Sequence, residues 1–159
     1  MRLVAIFTVF AALLDQISKY VVIHAMNLAQ IRAIDVLPPL LNFRYGENRG
    51  INFGMFGDGT SRWVFVGLAV VICAVVLWWL RGNAQPRIAL MSAGLLIGGA
   101  LGNVIDRLLY GYVLDFLNMS CCGIQNPFVF NVADIFIFAG AIGLVLFAQD
   151  GGTGRKKRA

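Results

Sequence analysis

Four long apolar segments constrain this chain more than any other feature. They lie at about residues 3–23, 63–80, 88–108 and 128–148, and each approaches the ~20 residues that a helix needs to cross ~30 Å of hydrocarbon. Hydrophobic residues make up 59% of the 159-residue chain and charged residues only 13%, whereas roughly a quarter of a soluble domain is charged. The sequence therefore predicts an all-α membrane protein, with four transmembrane helices in a single integral-membrane domain that covers residues 1–159.

The first apolar segment follows Arg2 and has small residues beyond it, so a cleaved signal peptide is an alternative. However, Asp15, Gln16 and Lys19 stand where such a peptide would pass smoothly into its cleavage site. We therefore expect an uncleaved first helix, which extends to about residue 26.

The formal net charge of +5 does not indicate nucleic-acid binding, because no basic and aromatic-rich soluble face is present. Basic residues instead border the apolar segments at Arg2, in the turn 81–87 and in the tail 150–159. All of these fall on one side of a four-helix arrangement, which the positive-inside rule makes cytoplasmic. Both termini are therefore expected in the cytoplasm, with the outer loops on the opposite face.

The first outer loop, residues 27–62, is too long for a simple connector. It contains Pro38–Pro39, alternating apolar residues and repeated glycines, a pattern typical of short strands joined by turns. We expect a small platform on the membrane surface. The second outer loop, 109–127, ends at Pro127, which we expect in the first turn of the fourth helix.

Polar residues within the apolar segments are costly and are therefore candidates for a functional site. With a rise of ~1.5 Å per residue, all of them lie near the same, outer surface of the membrane. This clustering argues against a through-going channel, which needs polar residues in both leaflets. The set comprises Asp15, Lys19, Asn103, Arg107, Asn131 and Asp134, with Asp115 just beyond the third helix.

Some members of this set have a structural interpretation. Asp15 and Lys19 are spaced for a helical ion pair, and the glycines before Asn103 and Arg107 favour close helix packing. Asp115 and Asp134 differ, because no basic residue lies three or four positions from either. Two such carboxylates in a low-dielectric site are expected to share a proton and to act as general base and general acid. A protease of the aspartic type is one function that this pattern allows.

Other hydrolytic chemistries have less support. His24 is the single histidine, so zinc-protease motifs are absent, and no Gly-x-Ser-x-Gly occurs. Cys121 and Cys122 are adjacent without a nearby histidine, which makes them a poor metal site, and the sequence leaves open whether they form a disulfide. We expect no metal and no organic cofactor.

Five motifs together resemble the bacterial lipoprotein signal peptidases, signal peptidase II. They are DQISK at 15–19, ENRGINFG at 47–54, GGALGNVIDR at 98–107, VLDF at 113–116 and FNVAD at 130–134. The resemblance implies a four-helix membrane bundle with a small periplasmic β-cradle and a short interfacial helix over the active site. It also implies an endopeptidase of the inner membrane, with its active site at the periplasmic face.

The resemblance further implies roles for individual residues. Asp115 and Asp134 would be the catalytic dyad, and Asp15 and Lys19 would support the site structurally. The residues that orient the dyad and hold the substrate would be Asn48, Gly50, Asn103, Arg107 and Asn131.

The implied substrate is a diacylglyceryl-modified prolipoprotein, cut immediately before its lipidated cysteine. Globomycin-type inhibitors would occupy the same cleft, and the enzyme would work among membrane lipids as a monomer. One departure lies next to Asn48 and Gly50: many family members have two small residues where Ile51 and Asn52 stand here. The fit of substrate and inhibitor is therefore less closely specified by the resemblance than the dyad.

Two other functions remain open from the residues alone. A small ion-coupled carrier could use Asp134 with Arg107 as a gated site. A membrane scaffold could use the same two residues as a structural ion pair.

Overall fold

The computed structural model describes residues 1–50, 60–82 and 84–149. The part of the first outer loop with Ile51 and Asn52 and the basic tail 150–159 lie outside these residues. The elements are α1 (Arg2–Lys19) with a π-helical continuation (Tyr20–Ala25), α2 (Leu28–Ile31), β1 (Ala33–Leu37), β2 (Leu41–Asn48), α3 (Thr60–Gly82), α4 (Arg87–Leu109), β3 (Val113–Asn118) and α5 (Val132–Phe147).

Three of the described helices are long and apolar enough to cross a membrane: Arg2–Ala25, Arg62–Gly82 and Arg87–Leu109. The fourth apolar helix, α5, has 16 residues. The protein is therefore a mostly helical, multi-pass membrane protein.

The α5 helix begins at Val132 rather than near residue 128. Phe130 pairs with Leu117 through backbone hydrogen bonds of 2.8 and 3.0 Å, which keeps the preceding segment extended. The prediction that Pro127 lies in the first turn of this helix is wrong for that reason.

Helix α4 is central and packs against both α1 and α5. Its glycines permit very close approach: a Cβ at Gly98 would lie 2.5 Å from the carbonyl oxygen of Thr8 on α1. On the other side, a Cβ at Gly140 of α5 would lie 2.5 Å from the carbonyl oxygen of Ser92. Small residues at helix contacts favour association inside a bilayer, where van der Waals packing replaces the hydrophobic effect.

The strands form one antiparallel sheet in the order β1-β2-β3. Two strands come from the first outer loop, as the alternating apolar residues predicted, whereas β3 comes from the second outer loop and was not predicted. Phe116 of β3 is buried with Ile23 and Leu28 in one apolar cluster. In the register of β2 with β3, Gly46 lies opposite Asp115 and Asn42 lies opposite Asn118.

Candidate active site

Asp134 is held at the start of α5 by a reciprocal cap. The Asn131 side-chain oxygen accepts a 2.9 Å hydrogen bond from the Asp134 backbone N–H, and Asp134 Oδ2 accepts one of 3.2 Å from the Asn131 backbone N–H. A helix N-terminus favours a negative charge in its first turn. Asp134, the acid that interrupts the fourth apolar segment, is therefore fixed in the first turn of α5.

Asp115 lies in β3 and is only 3% exposed. Asn131 Nδ2 donates a 2.5 Å hydrogen bond to Asp115 Oδ1, so one asparagine contacts both aspartates. Burial, and then the negative charge of Asp134, raises the pKa of Asp115 to about 7, while hydrogen bonds from Asn131 and Asn48 act in the opposite direction. Asp115 can therefore hold a proton close to neutral pH.

Asn103 of α4 completes the contacts of Asp134. Its Nδ2 donates to Asp134 Oδ1 over 2.9 Å. Its Oδ1 accepts hydrogen bonds from Asn131 Nδ2 at 3.2 Å and from Lys19 Nζ at 3.4 Å. The two donors on its oxygen leave the amide one orientation, with its own donor directed at Asp134.

A buried ionic cluster lies directly behind these residues. Lys19 Nζ is 2.8 Å from Asp15 Oδ2 and 2.7 Å from Asp106 Oδ2. Asp15 Oδ1 accepts a 2.9 Å hydrogen bond from the backbone of Ala133, which precedes Asp134. Asp106 Oδ2 accepts one of 3.0 Å from the backbone of Leu114, which precedes Asp115. The cluster thus ties both aspartate-bearing segments to α1 and α4.

Asp106 is the member of this cluster that was not identified from the sequence. It is fully buried and also accepts a 2.9 Å hydrogen bond from Gln16. Its position three residues after Asn103 places both on one face of α4. That spacing could have identified Asp106 as a site residue from the sequence.

A cleft of about 660 Å³ opens beside Asp115 and is lined by Asn48, Gly50, Phe65 and Arg107, among others. Asn48 Oδ1 accepts a 3.0 Å hydrogen bond from the Gly50 backbone. Gly50 has φ +82°, and a Cβ there would overlap the ring of Phe65. Glycine at this position therefore serves both the backbone conformation and the width of the cleft.

The Arg107 guanidinium lies 5.0 Å from the centre of the Phe65 ring and donates a 3.2 Å hydrogen bond to the Asn103 carbonyl oxygen. Within residues 1–50, 60–82 and 84–149, no ion pair joins Arg107 to Asp134. The ion pair on which the scaffold hypothesis depends is therefore not formed in this part of the chain.

A second, apolar groove of about 490 Å³ runs along α5 from Asp134 and is lined by Phe130, Ile135, Phe138 and Ile142, among others. Phe138 is 70% exposed, so this face is suited to hydrocarbon. Asp134 therefore lies where an apolar groove meets a buried polar network.

Comparison with known proteins places these features in a family. The family model described as "Signal peptidase (SPase) II" matches residues 7–149. A lipoprotein signal peptidase of Alteromonas mediterranea is 45% identical over 139 residues, which cover 86% of this chain and 74% of that protein. One of Pseudoalteromonas atlantica is 40% identical over 136 residues, covering 84% of this chain and 80% of the relative.

Solved structures agree with the sequence comparison. A bacterial membrane enzyme determined by the in meso method at 1.9 Å resolution superposes with a TM-score of 0.77, at 28% identity and with 90% of each chain covered. A second, at 2.3 Å resolution, gives a TM-score of 0.73 with 90% of this chain and 85% of that chain covered. The chain belongs to the signal peptidase II family.

Proposed function

We propose that this protein is an aspartic endopeptidase that removes the signal peptide from diacylglyceryl-modified prolipoproteins, cutting before the lipidated cysteine. Family membership supports the substrate class. The observation that carries the proposed chemistry is the hydrogen bonding of one buried asparagine, Asn131, to both Asp115 and Asp134. Two carboxylates held in this way can divide the roles of acid and base.

In the proposed mechanism, Asp115 starts protonated and Asp134 starts ionised. Asp134 removes a proton from a water molecule as the water oxygen attacks the carbonyl carbon of the scissile amide. Asp115 donates its proton to the developing oxyanion, which gives a gem-diol. Asp134 then passes the proton that it took from water to the amide nitrogen as the C–N bond breaks, and a gem-diol hydroxyl returns a proton to Asp115. The pKa of about 7 for Asp115 supports its assignment as the acid, and the hydrogen bond from Asn103 Nδ2 fixes the position of Asp134 Oδ1, the proposed base.

The surroundings of the aspartates suit such a substrate. Asn48, Gly50 and Arg107 line the cleft beside Asp115 and would hold the peptide backbone. The groove along α5 would accept hydrocarbon of the diacylglyceryl group or the signal sequence beside Asp134. Globomycin-type inhibitors would compete for the same cleft. Asp15 and Lys19 would act through the position of the backbone rather than by contact with substrate.

The same proposal includes four membrane spans in one domain, a monomeric enzyme, both termini in the cytoplasm and the aspartates at the periplasmic face of the bacterial inner membrane. Asp134 near one end of α5 supports a site close to a membrane surface. An enzyme acting there meets a lipidated cysteine without extracting its acyl chains from the bilayer.

The decisive experiment is a gel-shift assay of purified Asp115→Asn and Asp134→Asn with a prolipoprotein that carries or lacks the diacylglyceryl group. Asp35→Asn is the matched control, because the Asp35 side chain is 60% exposed in a surface ion pair. Wild type and Asp35→Asn should cleave the lipidated substrate alone, and both other variants should be inactive although folded. Substantial turnover by folded Asp115→Asn or Asp134→Asn would refute the mechanism, and lipid-independent cleavage would refute the substrate class.

A further inference from the structure

Two adjacent cysteines, Cys121 and Cys122, lie at an exposed turn of the second outer loop. Both carry free thiols, and Cys122 Sγ donates a 2.7 Å hydrogen bond to Cys121 Sγ. Their exposure lets a reagent reach either sulfur, and their contact lets the second sulfur attack a bond formed at the first. The pair therefore has the arrangement of a dithiol that can be oxidised.

The turn that carries these thiols has a backbone conformation that cysteine rarely adopts. The Ile124 N–H donates a 2.9 Å hydrogen bond to the Cys121 carbonyl oxygen, and the two residues between them have positive φ, 60° at Cys122 and 82° at Gly123. This is a type I′ turn, in which asparagine, aspartate or glycine normally occupies the first central position. A cysteine there costs conformational energy, so the turn itself does not account for the second thiol.

A disulfide between adjacent cysteines is easily reversed because of the chain geometry. Consecutive Cα atoms are ~3.8 Å apart across a trans peptide, whereas the Cα atoms of ordinary disulfide-bonded cysteines are ~4.4–6.8 Å apart. Such a bond forms under strain and is readily reduced, as is typical of labile disulfides with a regulatory role. The pair is thus suited to repeated oxidation and reduction rather than to a permanent cross-link.

A hydrogen bond connects the turn to the wall of the cleft beside Asp115. Ser120, which precedes the cysteines, accepts a 3.0 Å hydrogen bond at Oγ from the Asn126 N–H. Asn126 is followed by Pro127, which lines the cleft. A disulfide across one peptide bond closes a small ring that restricts the backbone angles of both cysteines, so the turn changes shape when the bond forms. The contact between Ser120 and Asn126 transmits that change to the cleft wall.

We propose that Cys121 and Cys122 form a reversible modification site, which a disulfide compound at the outer face oxidises to a vicinal disulfide that weakens substrate binding in the cleft. The effect on substrate rests on the proposed function, whereas the oxidation itself does not. With the outer loops in the periplasm, as proposed above, the two thiols lie in an oxidising compartment.

The oxidation is a thiol–disulfide exchange in two steps. The thiolate of one cysteine attacks the disulfide of the oxidant, which forms a mixed disulfide and releases one oxidant thiol. The thiolate of the other cysteine then attacks the protein sulfur of that mixed disulfide, which forms the bond between Cys121 and Cys122 and releases the second oxidant thiol. In total, two protein thiols lose two electrons and two protons, and the oxidant disulfide gains them.

The test treats the purified full chain in detergent with oxidised glutathione, alkylates the remaining thiols in denaturant and measures the intact mass. Wild type should become two hydrogen atoms lighter without a glutathione adduct, keep one alkylatable thiol at Cys73, and recover both others with dithiothreitol. Cleavage of the lipidated prolipoprotein by the oxidised protein should show a KM raised by roughly 2- to 10-fold, the scale of one hydrogen bond, with a similar kcat.

Two variants assign these effects to the pair. Cys122→Ser should stop at a glutathione adduct on Cys121, because the second thiol is missing, and in its reduced form it should cleave as wild type does. Cys73→Ser is the matched control, because Cys73 is half-buried in α3. It should form the disulfide and show the same rise in KM as wild type.

Two alkylatable outer thiols after oxidation, or a stable glutathione adduct on wild type, would overturn the dithiol site. A complete disulfide with an unchanged KM would overturn its effect on the cleft while leaving the proposed function intact. Absence of cleavage by folded, reduced wild type would instead refute the proposed function, and the mass measurement would still decide the oxidation.

Discussion

Asn131 Nδ2 donates a 2.5 Å hydrogen bond to Asp115 Oδ1, although Asp115 is on a strand of the sheet and Asn131 is the cap of the apolar helix α5. The same side chain accepts from the backbone of Asp134 through its oxygen. The two polar atoms of this amide therefore have separate roles: Oδ1 caps the N-terminus of α5, and Nδ2 fixes the position of the Asp115 carboxylate. A substitution can separate these tasks.

Asn131→Ser should keep the helix cap but lose the donor to Asp115, whereas Asn131→Ala should lose both. We expect the free energy of unfolding of the serine variant to stay within about 0.5 kcal/mol of wild type and that of the alanine variant to fall by about 1 kcal/mol. The kcat of both should decrease by roughly 100-fold, because the carboxylates lose their relative position. Thermal unfolding in detergent and steady-state kinetics measure the two effects. Wild-type kcat in the serine variant would contradict this role.

The pH dependence of the free energy of unfolding should reflect the protonation of Asp115. Its pKa is raised from 3.8 to about 7 in the folded protein, so between these values the folded state retains a proton that the unfolded chain has released. Stability should therefore fall as pH rises from about 4 to about 7 and level off beyond. Melting temperature measured across this range should show the decline, and Asp115→Asn should flatten it. An equal decline in that variant would assign the effect to other groups.

The pH dependence of cleavage should have its alkaline limb close to pH 7, because the proposed acid loses its proton there. Removing the opposing hydrogen bond by Asn131→Ser should move this limb to higher pH, since that bond lowers the pKa of Asp115. The measurement is kcat/KM as a function of pH for wild type and for Asn131→Ser. A limb that moves to lower pH would exclude Asp115 as the group observed.

Lys19→Met should leave Asp15 and Asp106 buried without their shared cation. Removing one partner of a buried ionic cluster typically costs about 3–5 kcal/mol. Arg81→Met is the matched control, because Arg81 is exposed at the end of α3, and it should change the melting temperature little. Combining Lys19→Met with Asp106→Asn should recover part of the loss. Absence of any recovery would mean that the lysine acts by packing rather than by charge.

Gly140→Ala should force α4 and α5 apart, since its Cβ would meet the backbone of Ser92 and Leu96 at 2.5 and 2.6 Å. We expect a loss of about 1–3 kcal/mol. In contrast, Gly67→Ala on α3 has nothing within 4 Å of the new Cβ and should be neutral or slightly stabilising because alanine favours the helix. Thermal unfolding of the two variants gives the comparison. Equal melting temperatures would show that this helix contact is readily displaced.

Spacing along helices could be predicted from the sequence, whereas pairing between distant segments could not. Asp15 and Lys19 are one turn apart, and helix geometry alone places their charged groups together. The β2–β3 pairing joins Asn42 to Asn118 across two intervening membrane helices, and no local pattern specifies it. Asp115 was therefore expected just beyond a helix rather than within a strand. The extended segment before Val132 depends on that same strand, which explains the late start of α5.

The length of α5 has a consequence for the surrounding lipid. Its 16 residues span about 24 Å at ~1.5 Å per residue, less than the ~30 Å of an average hydrocarbon core. The 23 residues of α3 span about 34 Å on the same estimate. With α5 crossing the membrane as proposed, a bilayer that contacts both helices would become thinner beside the shorter one, which would draw its glycerol layer toward Asp134. Membrane deformation would then contribute to substrate delivery, and turnover would vary with the acyl-chain length of the host lipid.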